Sequence, residues 1–281
     1  MKKSLMNGKG TAIKSLLTTL VVLTILVVSS SAIASVVADY RFDTSADTVA
    51  TDSSGNGNDG TLIGFTDLTF GYADDPVNPG YTSNGMIRLV GGGPIEYIQS
   101  GVTARDFITN SFTIEAITGL ASNPWYWQPL VGYVIPGQAF VYWGSGFAMG
   151  TSAPPHWHID NGGPWESYYN YEDILTDGQM HHYAITYDAD NHEMSMYLDS
   201  DVPIATVFAD LSNAVPEGDT GVLLIGSHMG SDPYEVWNGL IDRIRFSDNV
   251  VSPENFIPVP EPATICLLGL GVLSLLRGKK H

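Results

Sequence analysis

The sequence predicts an all-β protein, an antiparallel β-sandwich in which two sheets pack face to face. Short segments with an apolar residue at every second position favour strands over helices, because side chains alternate between the two faces along a strand. Turn-forming clusters of Asn, Asp, Gly, Ser and Pro separate these segments, and the chain contains 30 glycines and 16 prolines. Apolar residues make up 44% of the 281 residues, which is enough for one large core.

Three segments in the middle of the chain show the period-two pattern most clearly. Each places three apolar side chains on one face: Phe112, Ile114 and Ala116; Tyr183, Ile185 and Tyr187; and Met194, Met196 and Leu198. Turn sequences such as residues 188–191 and 216–219 lie between the segments. About a dozen strands of this kind predict two packed antiparallel sheets.

The N-terminus reads as a secretory signal peptide at residues 1–34. Four lysines precede an apolar run at residues 16–28, and Ala32 and Ala34 provide the small-x-small pattern of a cleavage site. The apolar run is short for a membrane span, so we expect a signal helix that is removed after Ala34. An uncleaved N-terminal anchor is the alternative.

The C-terminus reads as a sorting segment at residues 258–281. Pro260, Glu261 and Pro262 precede an apolar stretch at residues 263–276, and basic residues follow it. As a helix this stretch would measure only about 21 Å, so we expect a hydrophobic helix that inserts transiently in the inner membrane. The basic residues would remain cytoplasmic and leave the sandwich outside.

This order of motifs resembles the PEP-CTERM sorting signal of Gram-negative-type bacteria. The resemblance implies processing by an exosortase-type enzyme near Pro260, Glu261 and Pro262. It also implies export to the cell surface or extracellular matrix, often together with extracellular polysaccharide. A plain C-terminal hydrophobic helix is the alternative.

Charge and cysteine content exclude several classes of function. Residues 35–258 hold 29 acidic residues but only five arginines and no lysine. Such a surface repels nucleic acid and anionic lipid, so no nucleic-acid partner is expected. Cys266 is the one cysteine, so no intrachain disulfide can form and no thiolate metal site is expected.

Several segments, in order along the chain, resemble the laminin-G-like, concanavalin A-like jelly roll. Its opening is matched by residues 40–43 and 52–62, and later strands are matched by residues 111–116, 178–188, 224–226, 239–245 and 252–254. Met180 stands where the family usually has tryptophan. The resemblance implies a jelly-roll domain at residues 35–257 and a binding role more often than catalysis.

A calcium ion is the candidate cofactor. In the segment 240–246, Asp242 shares an apolar, inward-facing row with Leu240, Ile244 and Phe246, and a buried carboxylate needs partners or an ion. The loop after Asp52 offers carboxylate, amide and backbone oxygens of the kind that calcium binds. Asp52, Asn58 and Asp242 are therefore the predicted metal ligands, which agrees with a calcium site implied by the resemblance. The alternative is that Asp242 caps backbone N–H groups of the opening loop without a metal.

Aromatic residues between positions 125 and 171 form the candidate ligand surface. Tyrosine and tryptophan favour partly exposed binding surfaces and offer flat faces for sugar rings. The predicted ligand-binding residues are Trp125, Trp127, Trp143, Trp157, Trp165 and Tyr169. The alternative is that these aromatic side chains form part of the core.

The sequence favours a non-catalytic binding protein over an enzyme. Most glycosidases on this fold need two carboxyl groups across the scissile bond, and the Glu-x-Asp-x-Glu pattern is absent. The Gly-x-Ser-x-Gly elbow is absent as well. We therefore expect an exported envelope or matrix protein that binds exopolysaccharide. A structural or protein-interaction component without a sugar ligand is the first alternative, and a glycoside hydrolase or polysaccharide lyase is the second.

Overall fold

The described part of the protein consists almost entirely of β-strands and their turns. The computed structural model describes residues 34–43, 48–65, 87–89, 95–120, 128–134, 140–145, 155–159, 166–169, 180–227 and 236–258. Within these ranges the strands form two antiparallel sheets. The predicted fold class, an all-β antiparallel sandwich, is confirmed.

Sheet 1 contains seven strands. They are β1 (Val36–Tyr40), β4 (Ile87–Leu89), β6 (Phe112–Leu120), β11 (His181–Asp188), β12 (Glu193–Leu198), β13 (Ala205–Phe208) and β15 (Gly239–Ser247). Their order is β1-β15-β6-β11-β12-β13, and β4 also pairs with β15. The first and last strands of the domain are thus neighbours.

Sheet 2 contains eight strands. They are β2 (Val49–Ala50), β3 (Gly60–Ile63), β5 (Tyr97–Thr103), β7 (Gln128–Val134), β8 (Phe140–Ser145), β9 (Pro155–Ile159), β10 (Glu166–Tyr169) and β14 (Val222–Ile225). Their order is β10-β9-β8-β7-β14-β5-β3-β2. A short helix α1 (Ala104–Ile108) follows β5, and a 3-10 helix (Pro253–Asn255) follows β15.

The two sheets share one hydrophobic core, which the alternation of side chains creates. The predicted inward rows of β6, β11 and β12 belong to it, with Phe112, Ile185 and Met196 at most 1% exposed, except that Leu198 is only partly buried against it. Sheet 2 contributes Ile98 and Ile225, which are fully buried in the same cluster. Burial of apolar surface from both sheets stabilises their face-to-face packing.

Strand β15 departs from the predicted alternation at Asp242. A β-bulge between Ile241 and Arg243 shifts the register against β6. As a result Ile241 belongs to the core, whereas Leu240 packs against a small cluster that contains Ile257. The expectation that Leu240 shares the inward row with Ile244 and Phe246 is therefore wrong, because a bulge inserts one extra residue into the strand.

The opening segment and the closing strand meet through β1. Tyr40 of β1 pairs with Ile244 of β15 and also forms an isolated bridge with Asp52. Strand β1 therefore lies between the Asp52 loop and β15. One strand thus separates the loop that carries Asp52 and Asn58 from the strand that carries Asp242.

The predicted signal helix and the predicted C-terminal hydrophobic helix both lie outside the described residues. So do the sorting residues Pro260, Glu261 and Pro262. Among the residues that the structure does describe, no helix has the length and apolar character that a membrane span requires.

Candidate functional site

The candidate aromatic positions that the structure describes lie at one end of sheet 2. Trp143 lies in β8, Trp157 in β9 and Tyr169 in β10, three consecutive strands. Trp125, Trp127 and Trp165 fall outside the described residues.

The backbone register aligns aromatic positions across these three strands. Trp143 pairs with Trp157, and Trp157 pairs with Tyr168. Adjacent strands are about 4.8 Å apart, so the three positions form a row about 10 Å long. Tyr169 lies one residue further along β10, where it pairs with His156. We name Trp143, Trp157 and Tyr168 the aromatic row, which spans three strands that follow one another in the chain.

The Asp52 carboxylate organises the loop that follows it. Its Oδ1 accepts hydrogen bonds from the backbone N–H groups of Asp39 (3.0 Å) and Ser54 (2.8 Å). Its Oδ2 accepts from the Ser54 hydroxyl (2.8 Å) and from the Asn58 backbone N–H (3.0 Å). Burial alone would raise the pKa of Asp52, but these donors favour the ionised form and the net pKa lies below its usual value.

Asn58 also helps to fasten the loop after Asp52 to β1. Its side-chain Nδ2 donates to the carbonyl of Val37 (2.8 Å), and its own carbonyl accepts from the Tyr40 hydroxyl (2.5 Å). The loop that was predicted to offer oxygens to a cation thus has both Asp52 carboxylate oxygens directed at N–H and O–H donors. In this arrangement Asp52 and Asn58 fasten the loop to β1.

Asp242 lies on the other side of β1, at the bulge of β15. Its side chain is buried, and burial is the main cause that raises its pKa to about 7. The charge of Asp43 raises the pKa further, while Arg243 lowers it. Asp242 is thus a buried carboxyl group whose electrostatic neighbours include a second carboxylate.

The three predicted metal ligands do not form one cluster. Asp52 and Asn58 share a loop, but β1 separates that loop from the strand that carries Asp242. Across the described ranges, no set of three or more His, Cys, Asp or Glu residues is grouped so as to hold a metal ion. Calcium binding stays a prediction, and Asp52 fits a loop-fastening role better than a ligand role.

Residues 93–255 match the family model described as the concanavalin A-like lectin/glucanases superfamily. The chain belongs to this superfamily. A second family model, the PEP-CTERM protein-sorting motif, matches residues 258–280 and confirms the predicted sorting segment with Pro260, Glu261 and Pro262. The motif indicates an exported protein that is sorted through the exosortase system.

Solved structures share the concanavalin A-like fold at low identity. Domain 4 of AbnA, a GH43 extracellular arabinanase from Geobacillus stearothermophilus in complex with arabinotriose, is 19% identical, with a TM-score of 0.55 over 79% of this chain and 96% of that one. A Trypanosoma rangeli sialidase in complex with 2,3-difluorosialic acid is 15% identical, with a TM-score of 0.50 over 78% of this chain and 32% of that one. No curated protein matches. These likenesses show the fold alone.

The described part of the concanavalin A-like domain also contains a buried charged cluster around Glu115 that the alternating pattern does not predict. Glu115 of β6 is fully buried on the outer face of sheet 1, where its Oε2 accepts from Arg245 Nε (2.8 Å) and Arg245 Nη2. Its Oε1 accepts from the backbone N–H of Ile257 (2.6 Å) and lies 3.3 Å from His182 Nε2. We name Glu115, Arg245 and His182 the Glu115 cluster.

The Glu115 cluster holds the segment that leads to the sorting motif. Arg245 donates to the carbonyl of Asn255 (3.1 Å), and Phe256 packs against His182 and Tyr197 at ring-centroid distances of 5.3 and 5.1 Å. Ile257 is buried beside the outer face of sheet 1. These contacts hold residues 255–257 against sheet 1, up to the residue before the matched sorting motif.

Proposed function

We propose that this protein is a non-catalytic, exported carbohydrate-binding protein that holds extracellular polysaccharide at the bacterial cell surface. The sorting motif supports export and processing by an exosortase-type enzyme, with the C-terminal segment inserted only transiently in the inner membrane. The aromatic row supports the sugar-binding part. Aromatic faces provide rigid apolar area at low conformational-entropy cost, which suits the C–H faces of sugar rings.

The register of β8, β9 and β10 is the observation that carries this proposal. Trp143 and Trp157 are direct partners on neighbouring strands, although 13 residues of sequence separate them. A regular sheet is a rigid support, and sites on rigid elements hold their geometry better than sites on loops. The strong acidity of the domain favours neutral glycans over anionic ones, because like charges repel.

Titration of the full-length chain with a glycan panel tests the proposal. The panel includes arabinotriose, the ligand present in the AbnA domain structure, together with neutral and acidic bacterial exopolysaccharides. We expect a neutral glycan to shift or quench the tryptophan fluorescence. Trp157→Ala should weaken its binding by about tenfold, which corresponds to about 1.4 kcal/mol.

A matched control separates ligand contact from general damage. Phe208 is an aromatic residue on β13 at the far edge of sheet 1 and is 71% exposed, so Phe208→Ala should leave glycan affinity unchanged. Circular dichroism checks that Trp157→Ala retains the sandwich. If no glycan changes the fluorescence, the sugar-binding proposal fails. If glycans are cleaved, with new reducing ends detected, the non-catalytic part fails.

Calcium is proposed as a stabilising cofactor, with Asp242 as the residue that would hold it. The observation that favours Asp242 is a buried carboxyl group whose pKa the charge of Asp43 raises further, since a divalent cation would offset the negative charge of both groups. After chelator treatment, added calcium chloride should raise the melting temperature and EDTA should reverse the rise, because a ligand of the folded state stabilises it. Magnesium chloride at the same ionic strength is the control. A melting temperature that calcium leaves unchanged would remove calcium from the proposal.

A further inference from the structure

A pocket of about 400 Å³ lies where the opening segment, the end of β5 and helix α1 meet. This volume falls within the range of small-molecule sites, roughly 300–1,000 Å³. The pocket is lined by polar residues from four parts of the chain: Asn58, Thr103, Asp106, Asn110, Ser111 and Asp248. Val102 and Phe107, both largely buried, contribute apolar surface.

The chemistry of the lining matches a neutral polyhydroxylated ligand. Carboxylates accept hydrogen bonds, amides both donate and accept, and hydroxyl groups do either, as sugar hydroxyls require. None of the described residues that line the pocket is basic. The nearby Arg105 donates from Nη1 to the carbonyl of Val215 (2.8 Å). An anionic ligand would face the carboxylates of Asp106 and Asp248, and the described lining offers no cation to compensate them.

Internal hydrogen bonds hold the lining in place. Asp248 accepts from the backbone N–H of Ser35 (2.7 Å), and Ser111 accepts from that of Ala189 (3.0 Å). Asn110 donates to the carbonyl of Asp106 (2.9 Å). Groups fixed in advance lose less entropy when a ligand binds, so the pocket is organised without one.

Close backbone contact fixes the back of the pocket. A Cβ atom on Gly101 would lie 2.6–2.8 Å from backbone atoms of Asn58, so only glycine allows β5 to approach this loop so closely. Thr103 precedes helix α1, and its side chain makes no capping hydrogen bond there. The Thr103 hydroxyl group therefore has no role in capping helix α1.

We propose that this pocket is a second carbohydrate site, which binds a single neutral monosaccharide unit such as the end of a glycan chain. It shares its ligand class with the proposed function but none of its residues. Strand β5 lies three strands from β8, the nearest strand of the aromatic row, which corresponds to a strand-to-strand separation of about 14 Å in sheet 2. The two sites can therefore be tested separately.

Saturation-transfer NMR and calorimetry on the full-length chain, in a detergent without a sugar headgroup, test the pocket. The probes are L-arabinose, D-glucose, D-galactose and D-mannose, with N-acetylneuraminic acid as the anionic comparison. We expect at least one neutral sugar to bind with a Kd on the order of 1 mM. Asp106→Asn should weaken that binding about tenfold, as expected when a charge-assisted hydrogen bond is lost. Thr103→Val should weaken it by a smaller factor.

Control variants make every outcome decisive. Asp201→Asn changes an exposed acid in the turn between β12 and β13 and should leave the affinity unchanged. The effect of Asp106→Asn should persist in the Trp157→Ala background, so loss of the aromatic row and loss of the pocket give different results. The proposal is overturned if no neutral monosaccharide binds or if only the anionic sugar binds. It is equally overturned if binding is insensitive to both Asp106→Asn and Thr103→Val.

Discussion

Replacing Glu115 with alanine is expected to lower the free energy of unfolding by about 3–5 kcal/mol, because one partner of a buried ion pair is lost. The Glu115 side chain is fully buried and that of Arg245 is 15% exposed, so the variant leaves the guanidinium with little access to water. The backbone N–H of Ile257 loses its acceptor as well. For a domain of this size the melting temperature should fall by about 10 °C, as thermal unfolding would measure.

Hydrogen exchange gives this prediction a residue-level readout. Because Glu115 accepts from the N–H of Ile257, that amide should exchange faster in Glu115→Ala, whereas amides in the core of β11 should retain their protection up to global unfolding. Glu115→Gln preserves an acceptor but removes the charge, so its effect should be intermediate. Asp201→Ala, at an exposed turn, is the matched control and should change little. A melting temperature within about 2 °C of wild type for Glu115→Ala would contradict the role of the cluster.

The sandwich could be predicted from the sequence because its signal is local. Residues 112–116, 183–187 and 194–198 alternate without interruption, and the structure buries their predicted faces in one core. The bulge in β15 was not predictable in the same way. Ile241 and Asp242 interrupt the alternation between Leu240 and Phe246, but the interruption alone does not indicate a bulge, because the register that produces it depends on pairing with β6 and β4, far away in the chain.

The Glu115 cluster was missed because its partners are distant in sequence. Glu115 and Arg245 are 130 residues apart, and only the neighbouring positions of β6 and β15 bring them together. The available signal was charge on the outward face of two strands: Glu115 follows the inward Ile114, and Arg245 separates the inward Ile244 and Phe246. Recognising this pair required the order of the strands, which an alternating pattern alone does not provide.

The composition of the Asp52 loop does not by itself decide between calcium binding and hydrogen bonding within the turn. Carboxylate and amide oxygens suit calcium, but the same groups also accept hydrogen bonds from turn N–H groups. Capping of the loop is the alternative predicted for Asp242, and in the structure Asp52 accepts hydrogen bonds from the backbone N–H groups of Asp39, Ser54 and Asn58. The spacing Asp52-x-Ser54 agrees with this, because a side chain of Asp commonly binds the backbone two residues ahead.

The second large effect is expected at Asp242, where pH should control stability. Its pKa is raised from 3.8 to about 7 in the folded protein, so the folded state binds more protons than the unfolded chain between these values. The free energy of unfolding should therefore fall by a total on the order of 4 kcal/mol as pH rises from about 4 to about 7. Above this range the ionisation of Asp242 should change it no further. The cause is burial of a carboxyl group that resists ionisation, reinforced by Asp43.

Asp242→Asn replaces the carboxyl group with a neutral group of similar shape and should remove this pH dependence. We expect the variant to be more stable than wild type by about 2–4 kcal/mol at pH 8 and nearly equal to it at pH 4. Urea unfolding of both proteins in EDTA across this pH range measures the difference between their free energies of unfolding. The contributions of the other titrating groups are the same in both proteins and cancel in this difference. Parallel pH profiles for the two proteins would show that Asp242 ionises without penalty. With calcium at pH 8 the order should reverse, because an ion held by the ionised carboxylate stabilises only the wild type. The same pair of variants therefore tests both the buried carboxyl group and the proposed ion beside it.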